Sequence, residues 1–552
     1  MNNITEKLVW DRYQQDMEYK NRLELERRVK QQENFFIGRQ WEGVNAPDLP
    51  KPVLNIVKRV TNYLISVLVV DDIGIAFRNY NPLVKQSGEE SAADGDAQAV
   101  PVAEEILPAE VERINERVKL KVKLRSCLRN AAVDGDTALY VRFDTRKGVQ
   151  DGGQTKGEID LEIIDNTNIH FGFPLTGEVE KQPYIIISRL EQTSRLKKQF
   201  PHLADRIWPD GCTAGTAEAD DVTTVLIYMY KHGGRVWFCQ CTERAMLTAP
   251  VDSGLSLYPV AYMSWEKIKN QYHGVGVVEE VIPNQIEINK LWAMALLYQK
   301  NNAFPKVFYD KTKIDRWDNR VGGVVGVIGN PNDAFASSFK PSDMSNQVMQ
   351  LVERTISHTK ELMGANDAVL GNVNPQNTSA LIQVQKASAA PLELQRLSFY
   401  QFIEDYIRIV LDIIRTKYGI RRVCGTQGGG WVDFSALDFD REINVDIGAS
   451  AYFSEAAQIQ TMDNLFKAGI ITDARLFVES LPDKALPNKN KILQQLKQQE
   501  QPLQEQLLQE QLLQAAQDTP QADGAAVPHT NTAGTQHTAA AHTLWEDSYG
   551  QM

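Results

Sequence analysis

The sequence predicts an α+β fold that is mainly helical, and three observations predict it. Apolar residues recur at three- and four-residue spacing through most long segments, as they do on amphipathic helices. Between residues 135 and 240 the pattern changes to short β-prone runs cut by Gly, Pro and Asp, as in paired strands. The chain is 552 residues long, more than one hydrophobic core usually fills, so roughly two to four packed regions are expected. With 43% apolar and 24% charged residues, wholesale disorder is excluded.

Taken in order, residues 4–33 hold good helix formers, alternating charges and sparse apolar positions. They read as one long helix crossing solvent or lying against a neighbouring subunit. Residues 34–43 end it with glycines and three aromatics, and Pro50 and Pro52 then precede a helix over about 53–70. Residues 87–100, rich in Ala, Gly, Ser and acids, read as an exposed insertion. Helical spacing returns over 104–133, and strands are expected at 135–143, 159–164, 184–188, 222–230 and 236–240. From Tyr272 the chain turns into a helix through about Asn302, closed by Pro305, with strands flanking 322–329. A second helix spans 342–363, a polar loop 364–377, and a helix capped by Thr378 reaches Tyr418, ~60 Å in length. Residues 488–517 are mostly Lys, Gln, Glu, Leu and Ala; Leu496, Leu503, Leu507 and Leu512 keep near-helical spacing, although Pro502 interrupts it. The tail, 518–552, has the composition of a disordered segment.

Charge and composition exclude several functions. The 59 basic against 71 acidic residues leave a net charge of -12, so a surface generally adhesive to phosphate is not expected. The longest strongly apolar run, residues 63–70, is far short of the ~18 needed to cross a bilayer, and residues 1–30 lack the apolar core of a secretory signal. A cytosolic chain with no membrane contact is expected. Its five scattered cysteines fit reduced thiols rather than a disulfide framework.

Candidate chemistry is sparse. There is no phosphate-binding loop, and Gly274-Val-Gly276 lacks the third glycine of a dinucleotide turn and is followed by Glu279 and Glu280, which repel pyrophosphate. Cys239 and Cys241, near His232, share one face of an apolar strand and read as packed thiols. His273 and His358 have no nucleophile partnered in sequence. Asp134-Gly-Asp136 reads most simply as a helix-to-strand turn. Together with Asp438 and Asp440 it also supports a competing reading, a metal-dependent DNA-processing enzyme. A third reading is a cytosolic helical scaffold assembled through the Gln-rich segment. No catalytic residue, metal ligand or cofactor is nominated.

Four segments carry a resemblance: Phe35-Phe-Ile-Gly-Arg-Gln-Trp41; Leu54-Asn-Ile-Val-Lys-Arg59; Gly274-Val-Gly276 followed by Ile282-Pro-Asn-Gln-Ile-Glu-Ile-Asn-Lys290; and Gly364-Ala-Asn-Asp-Ala-Val-Leu-Gly371. With the order of elements, they make residues 10–480 resemble the bacteriophage portal proteins, the head-to-tail connectors. The resemblance implies a non-enzymatic dodecameric ring at one capsid vertex, with no cofactor. Double-stranded DNA would pass through it during packaging and ejection. Its partners would be the terminase large subunit, capsid and scaffolding proteins, and later a head-tail adaptor. It would reside in the virion, and in the host cytoplasm during assembly.

Mapped by likeness, residues 1–273 form a wing, 274–303 and 342–363 two stem helices, and 304–341 a clip between them. Residues 364–377 form a tunnel loop, 378–470 a spine helix and wing return, and 471–517 a crown with a helical barrel. In the first stem helix Ile282, Ile286, Asn289 and Ala293 share one face, expected to pack on a neighbouring subunit. Both stem helices are near neutral, which suits a duplex that must slide past. In the tunnel loop Asn366, Asp367, Asn372 and Asn374 are expected to face the lumen. In the clip, β-prone runs at 304–309 and 321–328 are expected to pair across subunits, with Arg316, Trp317 and Arg320 docking the terminase.

Overall fold

The computed structural model describes residues 4–69, 73–78, 99–148, 150–151, 154–210, 221–303, 307–318, 324–333, 336–338, 346–365, 390–422, 431–436, 442–447, 462, 465–467 and 477–478. The chain forms two units, residues 1–453 and 454–552. Described residues of the second are few; in it the rings of Phe466 and Phe477 lie 4.7 Å apart.

The N-terminal segment is two helices, α1 (Glu6–Arg22) and α2 (Leu25–Ile37). The break falls at Glu24, whose φ of 50° is left-handed and cannot continue a helix. Neither helix crosses solvent as expected: Val9 of α1 sits with Ile186, Leu226 and Tyr228 of the strands, and Leu25, Phe35 and Phe36 of α2 are buried. The expectation failed because Asp16 and Lys20 are themselves buried, so charge was no sign of solvent. Helix α3 (Ile56–Leu68) starts where Asn55 accepts from the Lys58 N–H, and it buries Ile56, Val57, Val60, Leu64 and Leu68 at helical spacing. Strand β1 (Ile73–Arg78) follows. The single helix expected over 104–133 is also two, α4 (Ala99–Arg117) and α5 (Leu120–Asp134), parted at Lys119 by a φ of 54°.

The strands follow in order: β2 (Asp136–Asp144), the small hairpin β3 (Gln150–Asp151) and β4 (Gln154–Thr155), β5 (Glu158–Ile164), β6 (Ile169–Phe171) and β7 (Tyr184–Gln192). Helix α6 (Thr193–Gln199) precedes β8 (Val222–His232), β9 (Arg235–Cys241), β10 (Met246–Asp252) and β11 (Val260–Ser264). Strands β10-β9-β8-β7-β6 form an antiparallel five-stranded sheet, with Ile186 opposite Tyr228. Strands β11-β2-β5 form a second sheet, with Val141 opposite Leu161. Cys239 and Cys241 are buried in one cluster with Val9 and Ile186, and burial pushes the Cys239 thiol up to about 12, as befits packed thiols.

Then come α7 (Val277–Ala303), β12 (Val307–Tyr309), β13 (Ala336–Ser338), α8 (Asn346–Leu362) and α9 (Glu393–Ile413), which a wider turn extends through Ile414–Tyr418. Strands β14 (Ile420–Arg422) and β15 (Trp431–Asp433) pair together, and β16 (Glu442–Ile447) returns to β1. From Glu393 to Tyr418 the helix spans ~39 Å at about 1.5 Å per residue. The longer spine expected from Thr378 begins outside the described residues. The main core joins α2, α3, α5, α7 and α9 to the three-stranded sheet, where Phe399, Phe402, Tyr406 and Val410 of α9 are fully or nearly fully buried. Tyr406 donates to Asn115 Oδ1 at 2.8 Å. Among the described residues no helix is long and apolar enough to cross a membrane.

Candidate channel helices and their root

Helices α7 and α8 pack against each other, and the start of α7 is held by three backbones that meet without side chains between them. A Cβ on Gly274 would lie 2.5 Å from the Glu266 carbonyl oxygen, and one on Gly276 2.6 Å from that of Ala132. Gly135, at φ 97°, closes α5, and a Cβ on it would lie 2.5 Å from the Gly274 carbonyl oxygen. Gly274-Val-Gly276 is therefore a close-approach motif, not a nucleotide turn.

Polar side chains complete the root. Glu279 accepts from Arg28 (2.6 Å) and Gln32 (2.7 Å) of α2. Gln285 Oε1 accepts from the N–H groups of Ile56 and Val57 and so caps α3 in the absence of a helical partner for them. Its Nε2 donates to the Leu54 carbonyl (2.9 Å) and to Asn289 Oδ1 (3.0 Å), and Asn289 Nδ2 donates to Gln40 Oε1 (2.6 Å).

This changes the face expected to meet a neighbour. Ile282, Asn289 and Ala293 are buried inside this chain and Ile286 packs against the same core, so the face they share is already occupied. The apolar side chains left outward on the two helices are Met294 (52% exposed), Leu351 (51%) and Leu362 (78%), with Leu296 less so. Exposed charges on them are mixed in sign: Glu287, Lys290 and Lys300 on α7, and Glu353, Arg354 and the His358–Glu361 pair on α8.

Between these helices β12 pairs with β13 of the same chain, Phe308 opposite Ser337. The run expected as a second strand, where described from Val324 to Ile328, is irregular and outward, with Val324 90% exposed. Glycines at 322, 323 and 326 account for this, since they weaken a strand without adding side chains to bury. Arg316 is exposed, and Trp317 stacks on Tyr309 with centroids 5.9 Å apart. Arg320 and the tunnel-loop residues Asn366, Asp367, Asn372 and Asn374 lie outside the described residues, as do the segments 471–517 and 518–552 apart from 477–478. A cavity of about 260 Å³ lined by Leu54, Arg59, Ile356, Lys360 and Ala365 adjoins the point where the chain enters that loop.

Of the carboxylates in the competing enzymatic reading, Asp136 is engaged within the fold. Asp136 is 1% exposed; His273 Nδ1 donates to its Oδ2 (2.6 Å) and the Gly274 N–H to its Oδ1 (3.1 Å). Burial lifts the Asp134 carboxyl to about 7. Asp438 and Asp440 lie outside the described residues, and among the described residues no three His, Cys, Asp or Glu gather as metal ligands. Sequence reasoning missed the Asp136–His273 pair. The two residues are 137 positions apart, and only the Gly135/Gly274 crossing brings them together.

The phage P22-like portal protein family model matches residues 205–539, more than half of the chain and a span that includes α7, β12, β13, α8 and α9. The chain belongs to this family. No curated protein matches this portal chain in sequence. The solved structures it is similar to include two of gene transfer agent particles. One, the virion of a native gene transfer agent (GTA) particle, is 11% identical with a TM-score of 0.34, over 82% of this chain and 93% of that one. The other, the neck of an empty GTA particle computed with C6 symmetry, is 12% identical with a TM-score of 0.32, over 78% and 90% respectively.

Proposed function

We propose that copies of this chain close into a ring, taken as a dodecamer, at one vertex of a phage-like capsid, and that its axial channel passes double-stranded DNA during packaging and ejection. The observation that carries this reading is the portal family match across the α7–α8 pair and the β module between them. In this reading α7 and α8 are the stem, residues 304–341 the clip, and residues 364–377 the loop that meets the duplex. Motor and adaptor dock at the clip, where Arg316 and Trp317 lie. Scaffolding and capsid proteins meet the ring elsewhere.

Two physical features support it. A ring needs two unlike faces on each subunit that fit together and close by rotation. Met294, Leu351 and Leu362 give α7 and α8 an apolar surface that no residue of the chain covers among those described, and a neighbouring copy would cover it. The charges around them alternate in sign, so the helices carry no basic stripe to hold phosphates by counterion release. In the assembly test, Asn366→Lys with Asn372→Lys leaves rings intact and lowers packaged DNA per particle. Unchanged packaging would place that loop away from the duplex.

A further inference from the structure

Charge is unevenly placed on this chain, and a channel without a basic stripe leaves one cluster of cations unused. The net charge is -12, yet α3 holds Lys58 and Arg59 and no acidic residue. Helix α5 holds Lys121, Lys123, Arg125 and Arg129, and its one acidic residue, Asp134, stands at the last position.

Contacts join these helices into a basic belt. Arg59 and Lys360 of α8 line the same cavity of about 260 Å³. Beside Arg59 on α3, Lys58 places its Nζ 6.0 Å from the centroid of the Phe36 ring, and Arg129 Cζ lies over the same ring at 5.0 Å. From Arg129 the belt runs back along one face of α5 to Arg125 and Lys121, in four-residue steps of about 6 Å. Lys58, Arg59, Arg125 and Lys121 are exposed, and Arg129 and Lys360 are half-buried.

Little within the fold neutralises the belt. Arg129 donates to Glu33 of α2 at 2.6 Å. Lys58, Arg59 and Arg125 form no ion pair among the described residues. The buried sides of the two helices are apolar, with Val57, Val60 and Leu64 on α3 and Leu124 and Leu128 on α5, so these cations point away from the packing. Uncompensated like charges on one face repel each other, and folding by itself gains nothing from grouping them.

We infer that this belt binds the phosphates of duplex DNA outside the channel, along a path from the end of α8 over α3 to α5. A row of free cations takes up a polyanion by releasing its counterions. The belt also starts at the end of α8, the helix that enters the loop proposed to meet the duplex. Naming DNA as the polyanion rests on that proposed function; the anion-binding face does not. An acidic face of a neighbouring copy would use the same cations, and the experiment separates the two.

Binding of a closed circular duplex by the full-length chain tests this, because a circle cannot thread a ring that is already closed. Titration over roughly 50 to 200 mM salt should show binding that weakens steeply as salt rises. Lys58→Gln with Arg125→Gln, both at exposed positions, should lower the affinity about tenfold or more and reduce the salt slope by about two. Removing two charges elsewhere, by Lys197→Gln with Lys198→Gln on α6, should change neither. Electron microscopy reads ring formation separately: rings missing from the wild type count against the portal reading, whereas binding of the circle decides the belt. No binding of the circle at low salt, or equal losses from the two pairs of substitutions, would overturn it. So would the disappearance of wild-type rings in the Lys58→Gln, Arg125→Gln variant, which would give the belt to a neighbouring copy.

Discussion

The two ends of α7 differ in what holds them. Its first half is enclosed by its own chain: Val278, Val281 and Ile288 are fully buried, Gln285 caps α3, and glycines bring α5 and the loop after β11 to backbone contact. Its second half leaves Met294 and Leu296 outward and ends in the exposed residues 299–303. Beyond it, β12 and β13 pair over only three residues and Phe308 is 59% exposed. One helix thus has a root fixed by folding and a far end whose apolar surface, left uncovered by the described residues, is proposed to meet a neighbouring copy. The same substitution type should act through stability at one end and through association at the other.

The largest effect is expected at the crossing. Gly274→Val drives a side chain onto the Glu266 and Gly135 carbonyls, which have no room to move, and should destabilise the monomer by about 4 kcal/mol or more. Urea denaturation reads this, and a midpoint near wild type would show that the backbones part easily. A smaller loss, about 2 kcal/mol, is expected for Gln285→Leu, which leaves the Ile56 N–H and the Leu54 carbonyl without their side-chain partner. Smallest for the isolated chain is Met294→Asp, within about 0.5 kcal/mol because the side chain is largely exposed. If instead it unfolds the chain, the far end belongs to the core and the contrast between the two ends disappears.

The helices were legible because their apolar spacing is strong: the segment expected from Tyr272 to Asn302 is α7, and the strand-rich region is where alternation placed it. What the spacing could not convey was partnership. Ile282, Ile286, Asn289 and Ala293 form a clear stripe, but a stripe that packs on α3 and one that packs on another subunit have the same period. Strands β6, β10 and β11 went unseen; β6 has only three residues, and the Asp134–Gly–Asp136 turn gave no sign that its second carboxylate reaches a distant histidine. The breaks at Glu24 and Lys119 were equally hidden, since both are charged residues in runs of good helix formers and nothing in their side chains signals a left-handed backbone.

Assembly of the purified full-length chain tests the central claim most directly, because the outward ends of α7 and α8 are assigned to neighbouring copies. Electron microscopy should show annular particles with an axial hole wide enough for a DNA duplex, and Met294→Asp should reduce their number while leaving the monomer folded. A population of single folded chains, without rings under conditions that permit assembly, would contradict the account.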